Sequence, residues 1–421
     1  MKVNIITLGC KVNAYESEMI KEKFIEKNYE ISSNIDDSNI IVVNTCSVTN
    51  EADKKSRKII HSVKRKNPDS IIVVCGCMAQ NKMEMDDANI LIGNKDKSKI
   101  VYLVEEYLKK QDKIIKFYDI NDFDFEDMKI DKFGNKTRGF IKIQDGCDNY
   151  CSYCVIPYLR GHNRSKDYNT TINEANILVK NGHQEIVITG IHTGKYFNNN
   201  HDLTDVINEM SKIEDLKRIR VSSIEINELN DKFIEELKNN LKICDHLHIP
   251  LQAGSNHVLK LMNRTYNKEE FECIVKKIRK VRPDINFTTD IIVGFPNEKE
   301  DDFKETLSFS KQIGFSKIHV FPYSRRSGTK ADTMEGHIGD NIKKERTNKL
   351  IELSNELENI YYERFIGKEL LVLIEENYDN KSVGHTSNFI KVEVNGNIPK
   401  NTFINVKIIK VNDLKVFGKI V

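Results

Sequence analysis

The stretch GFIKIQDGCDNYCSYC, residues 139–154, decides how the rest of this chain is interpreted. It begins with an apolar run typical of a buried strand and ends with Cys147, Cys151 and Cys154. Thiolates are the soft ligands that iron–sulfur clusters require. Three cysteines on a four-iron cluster leave one iron open, and a substrate or cofactor can bind there. Zinc is the alternative, because His162 could complete a Cys3His set.

A strand followed by a helix repeats six times around this loop, between residues 138 and 330. Polar or glycine-rich residues follow each of the six strand-like segments. These segments are 139–144, 185–190, 218–223, 246–250, 287–294 and 317–322. Six such units predict a partial (β/α)6 barrel, in which ligands meet side chains at the C-terminal ends of the strands.

The first 110 residues show a second α/β pattern. Apolar runs occur at 3–8, 40–43, 71–75 and 89–93. Helical segments are predicted between the second and third runs, at 51–66, and after the fourth, at 101–108. Runs rich in β-branched residues between helices are typical of a parallel sheet that is covered on both faces. We predict an N-terminal doubly wound α/β domain over residues 1–115.

The end of the chain has a different pattern. A long helix predicted at 341–365 leads into short strands at 370–375, 389–394, 403–409 and 414–421. This pattern predicts a small all-β barrel over residues 366–421, after a central domain over residues 133–365. We interpret residues 111–137 as a linker because they are rich in acids and have few periodic apolar positions. These acids are Asp112, Asp119, Asp122, Asp124, Glu126, Asp127 and Asp131.

The composition of the 421-residue chain is that of an ordinary globular protein, with 39% hydrophobic and 30% charged residues. We see no signal peptide, and no apolar run approaches the ~20 residues that cross a bilayer. We therefore expect a cytoplasmic protein with no membrane partner. That compartment is reducing, so the nine cysteines favour metal binding or catalysis over disulfides. The net charge of +2 neither favours nor excludes nucleic acid.

Three further cysteines, Cys10, Cys46 and Cys77, each lie just past an apolar run of the N-terminal domain. Ligands of an open α/β sheet bind outside the carboxyl ends of its strands, so these thiols could converge on one point. Buried, inert thiols are the alternative, since free cysteine is often a small core residue. We assign Cys75 to the core, and Cys244 and Cys273 to the core or to helix packing.

Several long motifs resemble, in the same order, those of the methylthiotransferase family within the radical S-adenosylmethionine superfamily. They are LGCKVNAYESE (8–18), NTCSVT (44–49), GCMAQ (76–80), CDNYCSYCVIPYLRG (147–161), HIPLQAGSNHVLKLMNRTY (248–266), TTDIIVGFPNE (288–298) and HVFPYSRRSGTKA (319–331). The resemblance implies two 4Fe-4S clusters. One, on Cys147, Cys151 and Cys154, would bind S-adenosylmethionine, and an auxiliary one would lie on the N-terminal triad.

The resemblance also implies which residues contact the cofactor and an RNA. Contacts to S-adenosylmethionine are expected from residues at strand ends and beside the cluster loop, although ordinary turns are the alternative for each: Tyr153, Thr189, Gly190, His192, Gly194, Ile292, Gly294 and Phe295. The C-terminal strands resemble the TRAM module, a small barrel that holds RNA. Candidate RNA contacts, with solvated charges as the alternative, are Arg160, Arg164, Lys166, Phe389, Lys391 and Lys407.

Two segments, TGIHTGKY (189–196) and HLHIPLQAGS (246–255), are most similar to the branch that acts on threonylcarbamoyladenosine in tRNA. The implied reaction adds a methylthio group to carbon 2 of adenosine 37 beside the anticodon. The implied partners are the tRNA anticodon loop, a sulfur donor and an electron donor such as flavodoxin or ferredoxin. The alternatives are the branches that modify isopentenyladenosine in tRNA or a ribosomal-protein aspartate. Two hypotheses assign the chain to other classes of protein. One is a two-cluster iron–sulfur redox protein without transferase activity, and the other is a zinc-bound RNA-binding protein.

Overall fold

The N-terminal part of the computed structural model is an open, all-parallel sheet of six strands in the order β2-β1-β3-β4-β5-β6. The structure describes residues 1–81, 85–121, 124–134 and 136–421. The strands are β1 (Lys2–Thr7), β2 (Glu30–Ile31), β3 (Ile40–Thr45), β4 (Ile71–Gly76), β5 (Ile90–Ile92) and β6 (Ile114–Lys116).

Helices cover both faces of this sheet, because its central strands are apolar on both sides. Tyr15 and Leu103 pack against one face, while Ile60 and Met78 pack against the other. The doubly wound α/β prediction is therefore confirmed. The helices are α1 (Lys11–Glu26), α2 (Asn50–Lys66), α3 (Cys77–Gln80) and α4 (Ile100–Lys110), with a 3-10 turn at Lys97–Lys99.

The acidic segment 111–137 is more ordered than the predicted linker. It contributes β6 to the sheet, and Met128, Ile130 and Phe133 are at most 1% exposed. Tyr15 also donates a hydrogen bond to the Met128 carbonyl at 2.8 Å. The many acids concealed these three apolar positions in the sequence. Asp122 lies outside the described residues.

The central domain has six principal parallel strands in two groups, β7-β10-β13 and β14-β15-β16. Backbone hydrogen bonds from Ile219 to Lys242 (2.7 Å) and from Ile224 to His248 (3.1 Å) join the groups into one open, partial barrel, as predicted. The strands are β7 (Arg138–Lys142), β8 (Gln144–Asp145), β9 (Arg164–Ser165), β10 (Glu185–Thr189), β11 (Phe197–Asn198), β12 (His201–Asp202), β13 (Arg218–Val221), β14 (His246–His248), β15 (Asn286–Val293) and β16 (Lys317–Pro322).

Helices pack on the outside of this barrel and bury its apolar outer face. They are α5 (Ile156–Arg160), α6 (Tyr168–Lys180), α7 (Leu203–Ser211), α8 (Asp231–Asn239), α9 (Asn256–Leu261), α10 (Lys268–Val281), α11 (Glu300–Ile313) and α12 (Asp340–Glu363), with 3-10 turns at Thr193–Lys195, Ile226–Glu228 and Lys330–Thr333. No helix among the described residues is long and apolar enough to span a membrane.

The chain ends in a closed five-stranded barrel, as expected for a TRAM-like module, in the order β17-β18-β19-β21-β20. The sequence did not predict the second of these strands, which contains polar residues and Gly384. A Cβ at Gly384 would lie 2.0 Å from the Leu373 carbonyl oxygen, so the close strand approach requires glycine. The strands are β17 (Glu369–Tyr378), β18 (Lys381–Thr386), β19 (Lys391–Asn395), β20 (Phe403–Asn412) and β21 (Lys415–Ile420).

Candidate functional site

The first cysteine triad lies in the loop that follows β7 and β8. Gly146, with φ of 75°, turns the chain there, and a Cβ would lie 1.9 Å from the His162 carbonyl oxygen. Cys147 N–H donates to the Gly161 carbonyl at 3.0 Å, and Cys154 N–H donates to the Cys151 carbonyl at 2.9 Å. These bonds fix the loop around three thiols that form no disulfide.

The spacing of these thiols separates a cluster from a single zinc ion. Zn–S bonds of about 2.3 Å in a tetrahedral site place two sulfur atoms about 3.8 Å apart. Among the described residues, no three cysteine or histidine ligand atoms of this loop come within 4.8 Å of one another. The His162 side chain is 57% exposed and pairs with Asp148 at 2.6 Å. The donor set therefore fits a larger iron–sulfur group better than zinc.

Two cations adjoin the loop. Arg264 donates a hydrogen bond to Cys151 Sγ at 3.1 Å and pairs with Glu225. His192 lies 3.5 Å from Cys147 Sγ and 2.5 Å from Glu228. Burial lowers the pKa of His192, but these two contacts outweigh burial and raise it to about 10. Both side chains therefore place positive charge beside sulfur atoms that would be thiolates.

Burial keeps two thiols of this loop protonated unless a cation is bound beside them. Burial raises the pKa of Cys151, and it raises that of Cys154 to about 12. Without a cation these thiols would stay protonated at neutral pH, whereas a bound metal deprotonates a coordinating thiol. Sequence reasoning missed Arg264, although it lies in the segment 248–266 that carried the family resemblance.

The second triad lies at the carboxyl ends of three adjacent strands, β1, β3 and β4. Cys10 precedes α1, Cys46 follows β3, and Cys77 begins α3. A Cβ at Gly9 would lie 2.8 Å from Cys46 Sγ, so glycine permits this approach. Burial raises the pKa of Cys10, and it raises that of Cys46 to about 11. The convergence expected from an open α/β sheet is thus present.

One cavity of about 720 Å³ joins the N-terminal triad to the partial barrel. Cys10, Cys46 and Cys77 line one side, and residues at or near strand ends line the other. The barrel side consists of Thr189, Gly190, Ile191, Ser222, Ser223, His248, Asp290, His319 and Phe321. The two halves of the molecule therefore face each other across a space large enough for a nucleobase. We name this space the cysteine cavity.

The predicted cofactor contacts divide into two groups. Thr189 and Gly190 line the cysteine cavity, and His192 contacts Cys147. Tyr153 packs edge-on against Phe295 at 6.4 Å, and the latter ring is fully buried.

The remaining predicted contacts lie in turns that follow strands. Gly194 lies against Glu228, where a Cβ would meet the carboxylate oxygen at 2.0 Å. The Gly294 amide donates to Glu298 at 2.6 Å, just beyond Ile292 on β15. The structure therefore brings only part of the predicted set to one surface.

The structure corrects the prediction for two of the basic residues beside the cluster loop. Arg160 is 1% exposed and pairs with Glu16 and Asp145, each at 3.0 Å. Lys166, also 1% exposed, pairs with Glu174. A buried cation that neutralises a buried carboxylate is not available to an RNA phosphate. Arg164 is half-buried and donates to the Arg160 carbonyl at 2.7 Å.

The candidate RNA contacts in the C-terminal barrel differ in how far they are exposed. Phe389 packs against the partial barrel, with its ring 4.9 Å from that of His246 and 4.6 Å from the Arg220 guanidinium. Its ring therefore already packs between protein groups, which corrects its prediction as an RNA contact. Lys391 and Lys407 are exposed. Of the other cysteines, Cys75 and Cys244 are core residues as predicted, whereas Cys273 is exposed.

Comparisons with known proteins agree with this architecture. Residues 2–92 match the model described as uncharacterized protein family UPF0004, and residues 141–310 match the radical SAM superfamily. A solved radical S-adenosylmethionine methyltransferase, TsrM from Kitasatospora setae, has a similar fold. Its TM-score is 0.56 at 11% identity, over 79% of this chain and 76% of that one. The partial barrel with its three-cysteine loop defines a radical S-adenosylmethionine enzyme.

Curated relatives place the chain more narrowly. A threonylcarbamoyladenosine tRNA methylthiotransferase from Bacillus subtilis is 40% identical over 96% of this chain and 93% of its own length. A tRNA-2-methylthio-N(6)-dimethylallyladenosine synthase from Clostridium beijerinckii is 35% identical over 99% and 95%. The chain belongs to the methylthiotransferase family of radical S-adenosylmethionine enzymes.

Proposed function

We propose that this enzyme converts N6-threonylcarbamoyladenosine at position 37 of tRNA to its 2-methylthio derivative. The cysteine cavity carries the proposal, because it opens between a cysteine triad and the strand ends of a radical S-adenosylmethionine barrel. Such a reaction replaces an unreactive aromatic C–H bond, which no acid or base side chain breaks at neutral pH. S-adenosylmethionine bound at the reduced cluster supplies radical chemistry for that bond.

Two clusters, rather than one, are part of this proposal. Cys147, Cys151 and Cys154 would hold the cluster that binds S-adenosylmethionine, and Cys10, Cys46 and Cys77 would hold an auxiliary cluster. The support is that each triad is a separate set of free thiols beside a buried cation. Arg264 and Arg160 are placed to stabilise the negative charge of the two thiolate sets.

The surrounding residues would orient the bound groups and exclude water. Thr189 and Gly190 lie at the end of β10, where backbone can approach S-adenosylmethionine closely. Asn94 donates to Cys77 Sγ at 3.7 Å and to the Leu159 carbonyl at 2.9 Å, so it would fix this ligand relative to the barrel. The exposed Lys391 and Lys407 remain the proposed RNA contacts, together with Arg164.

The domain bounds proposed are 1–115 for the auxiliary-cluster domain, 133–365 for the radical domain and 366–421 for the RNA-binding barrel. The overall reaction also needs one-electron reduction of the cluster and a source of sulfur. We therefore propose a flavodoxin-like or ferredoxin-like electron donor and a separate sulfur donor.

Nucleoside mass spectrometry of tRNA tests the substrate assignment. Cells that lack the protein should lose 2-methylthio-threonylcarbamoyladenosine and accumulate the unmethylthiolated nucleoside. Re-expression of the wild-type chain should restore it, whereas the Cys10→Ala variant should not. Loss of the methylthio-isopentenyl nucleoside instead would reassign the enzyme to the other tRNA branch.

A further inference from the structure

A second cavity, of about 260 Å³, occupies the lumen of the partial barrel. It extends toward the N-terminal ends of the strands, where Arg138, His246 and Asn286 begin β7, β14 and β15. Residues His385, Phe389 and Lys391 of the C-terminal barrel also line it. We name this space the lumen cavity. It adjoins the cysteine cavity, because both are lined by Lys11, Ser222, His248 and His319.

The lumen cavity is lined by many basic side chains. Its lining includes five Lys or Arg side chains and four histidines but one carboxylate, that of Glu358. The cationic and histidine residues are Lys11, Arg138, Arg220, Lys317, Lys391, His246, His248, His319 and His385. A partly enclosed space with this lining favours an anionic ligand and disfavours an apolar one.

Most of these groups already have protein partners. Arg220 pairs with Glu185 at 2.8 Å, Arg138 with Glu375 at 3.1 Å and Lys317 with Glu358 at 2.5 Å. They stabilise the barrel and the docking of the C-terminal module.

Two side chains at the junction of the two cavities, those of Lys11 and His319, have no such partner among the described residues. Within those residues, neither forms an ion pair or a hydrogen bond through its side chain. The Asp290 carboxylate lies within 4.8 Å of the ring nitrogens of His248 and His319 and pairs with His248 at 3.3 Å. The junction therefore offers two free donors beside one acceptor.

The substrate proposed above has complementary chemistry. Its N6 substituent carries a carboxylate, a hydroxyl and ureido N–H groups, whereas an isopentenyl substituent has no polar atom. Carbon 2 and carbon 6, which carries N6, belong to the same six-membered ring. A base that presents carbon 2 to the cysteines would therefore extend its N6 substituent away from the ring by several ångströms. Two adjoining cavities suit such a shape.

We infer that the junction of the two cavities is the subsite for the N6 substituent. Lys11 is the ionic partner of its carboxylate, His319 is a hydrogen-bond donor, and Asp290 accepts from the hydroxyl or ureido N–H. The inference rests on the proposed function and names the residues that select the substrate. An isopentenyl group would cover these polar groups without pairing with them, so specificity includes rejection of the apolar substrate.

Binding of anticodon stem-loop RNAs to the reconstituted holoenzyme, without reductant, tests this inference. Fluorescence anisotropy would compare RNAs whose adenosine 37 carries threonylcarbamoyl, the same group with its carboxylate converted to an amide, isopentenyl or no substituent. The wild type should bind the carboxylate RNA about tenfold more tightly than the amide RNA, as expected for one charge-assisted hydrogen bond.

Lys11→Met should remove this preference, and Lys11→Arg should restore part of it. His319→Leu should reduce it without altering a residue beside a cluster cysteine. Lys58→Met is the matched control, because Lys58 is an exposed cation of α2 that lines neither cavity. The control should keep the full preference for the carboxylate RNA.

Two results would overturn the inference. One is equal binding of the carboxylate and amide RNAs by the wild type. The other is an equal loss of affinity for all four RNAs in Lys11→Met and His319→Leu, which would indicate general attraction to RNA. Product analysis separates these results from failure of the proposed function: if only isopentenyl RNA is methylthiolated, the proposed function itself is wrong.

Discussion

The guanidinium of Arg160 donates a hydrogen bond to Cys77 Sγ at 3.3 Å, although the two residues lie on opposite sides of the interface between the sheet and the partial barrel. The same guanidinium contacts Glu16 of α1 and Asp145 of β8, just before the cluster loop, each at 3.0 Å. One side chain therefore links a proposed auxiliary-cluster ligand to the segment that carries the other triad.

Replacing Arg160 with Met should destabilise the protein by roughly 3 kcal/mol, because Glu16 and Asp145 would lose a buried cationic partner. Chemical denaturation followed by circular dichroism, under anaerobic conditions, would measure the change. Arg160→Lys keeps the charge but loses the planar donor, so its stability should lie between those of the wild type and Arg160→Met. A wild-type unfolding curve for Arg160→Met would show that the buried network does not need this residue.

The two cysteine triads should differ in function. Replacing Cys147, Cys151 and Cys154 with Ala should abolish reductive cleavage of S-adenosylmethionine, because the open iron binds the cofactor there. Replacing Cys10, Cys46 and Cys77 should leave cleavage intact and stop methylthio transfer. Chromatography of 5′-deoxyadenosine and of the modified nucleoside measures the two steps separately. Loss of cleavage in the second variant would contradict this division of roles.

Iron and acid-labile sulfide analysis should give about eight irons per chain in the anaerobically reconstituted protein, since two four-iron clusters are proposed. Each triple-alanine variant should retain about four. An iron content of four or fewer in the wild type would remove the two-cluster proposal. Zinc as the sole metal would contradict the proposed chemistry altogether.

Gly146→Ala should lower the iron content by about half without unfolding the protein. The φ of 75° and the contact of 1.9 Å with the His162 carbonyl oxygen leave no room for a side chain, so the cluster loop must move. Gly182→Ala is a matched control, because it has a φ of 97° but no atom within 4 Å of its added Cβ. The control should retain the full iron content. Equal iron loss in both variants would point to backbone strain instead of the steric contact.

Stability should fall as the pH drops below 6.5 because of His183. This ring is 4% exposed, receives the Phe133 N–H at Nε2 (3.1 Å) and lies 3.1 Å from the Thr137 carbonyl through Nδ1. Burial lowers its pKa in the folded state, so the unfolded chain binds the proton more tightly. The loss is at most about 1.4 kcal/mol per pH unit below 6.5.

Denaturant unfolding at pH 7.5 and 5.5 would measure this loss against His183→Gln, which cannot titrate. The variant should show the smaller difference between the two pH values. Equal pH dependence in both proteins would mean that protonation of His183 does not oppose folding.

Much of the fold could be predicted from local sequence patterns. Four of the six N-terminal strands and all six strands of the partial barrel were predicted, because each contains apolar residues that the fold buries. The short strands β2 and β6 were missed because two or three residues beside charged positions give no periodic signal. Strand β18 was missed because its polar residues and Gly384 interrupt the apolar pattern that marks a strand in sequence.

Only part of the candidate site could be predicted from the sequence. Adjacent parallel strands end at one edge of the sheet, so a cysteine that follows such a strand can be placed at that edge from sequence. Cys10 and Cys46 are examples. The basic residues gave no such information, since a lysine or arginine looks the same in sequence whether it meets solvent or a buried carboxylate. Arg160 and Lys166 were assigned to RNA on sequence proximity alone, and Glu16 and Glu174 decided otherwise.

The sequence by itself determined the class of chemistry, because soft thiolate ligands at close spacing and apolar strands are local properties of the chain. Only the tertiary structure placed the N-terminal triad opposite the barrel. Among the described residues, it also left the side chains of Lys11 and His319 without an ion pair or a hydrogen bond at the junction of two cavities. The reason is physical: which charges are neutralised and which stay free depends on contacts between residues far apart in the chain, such as Arg160 with Glu16.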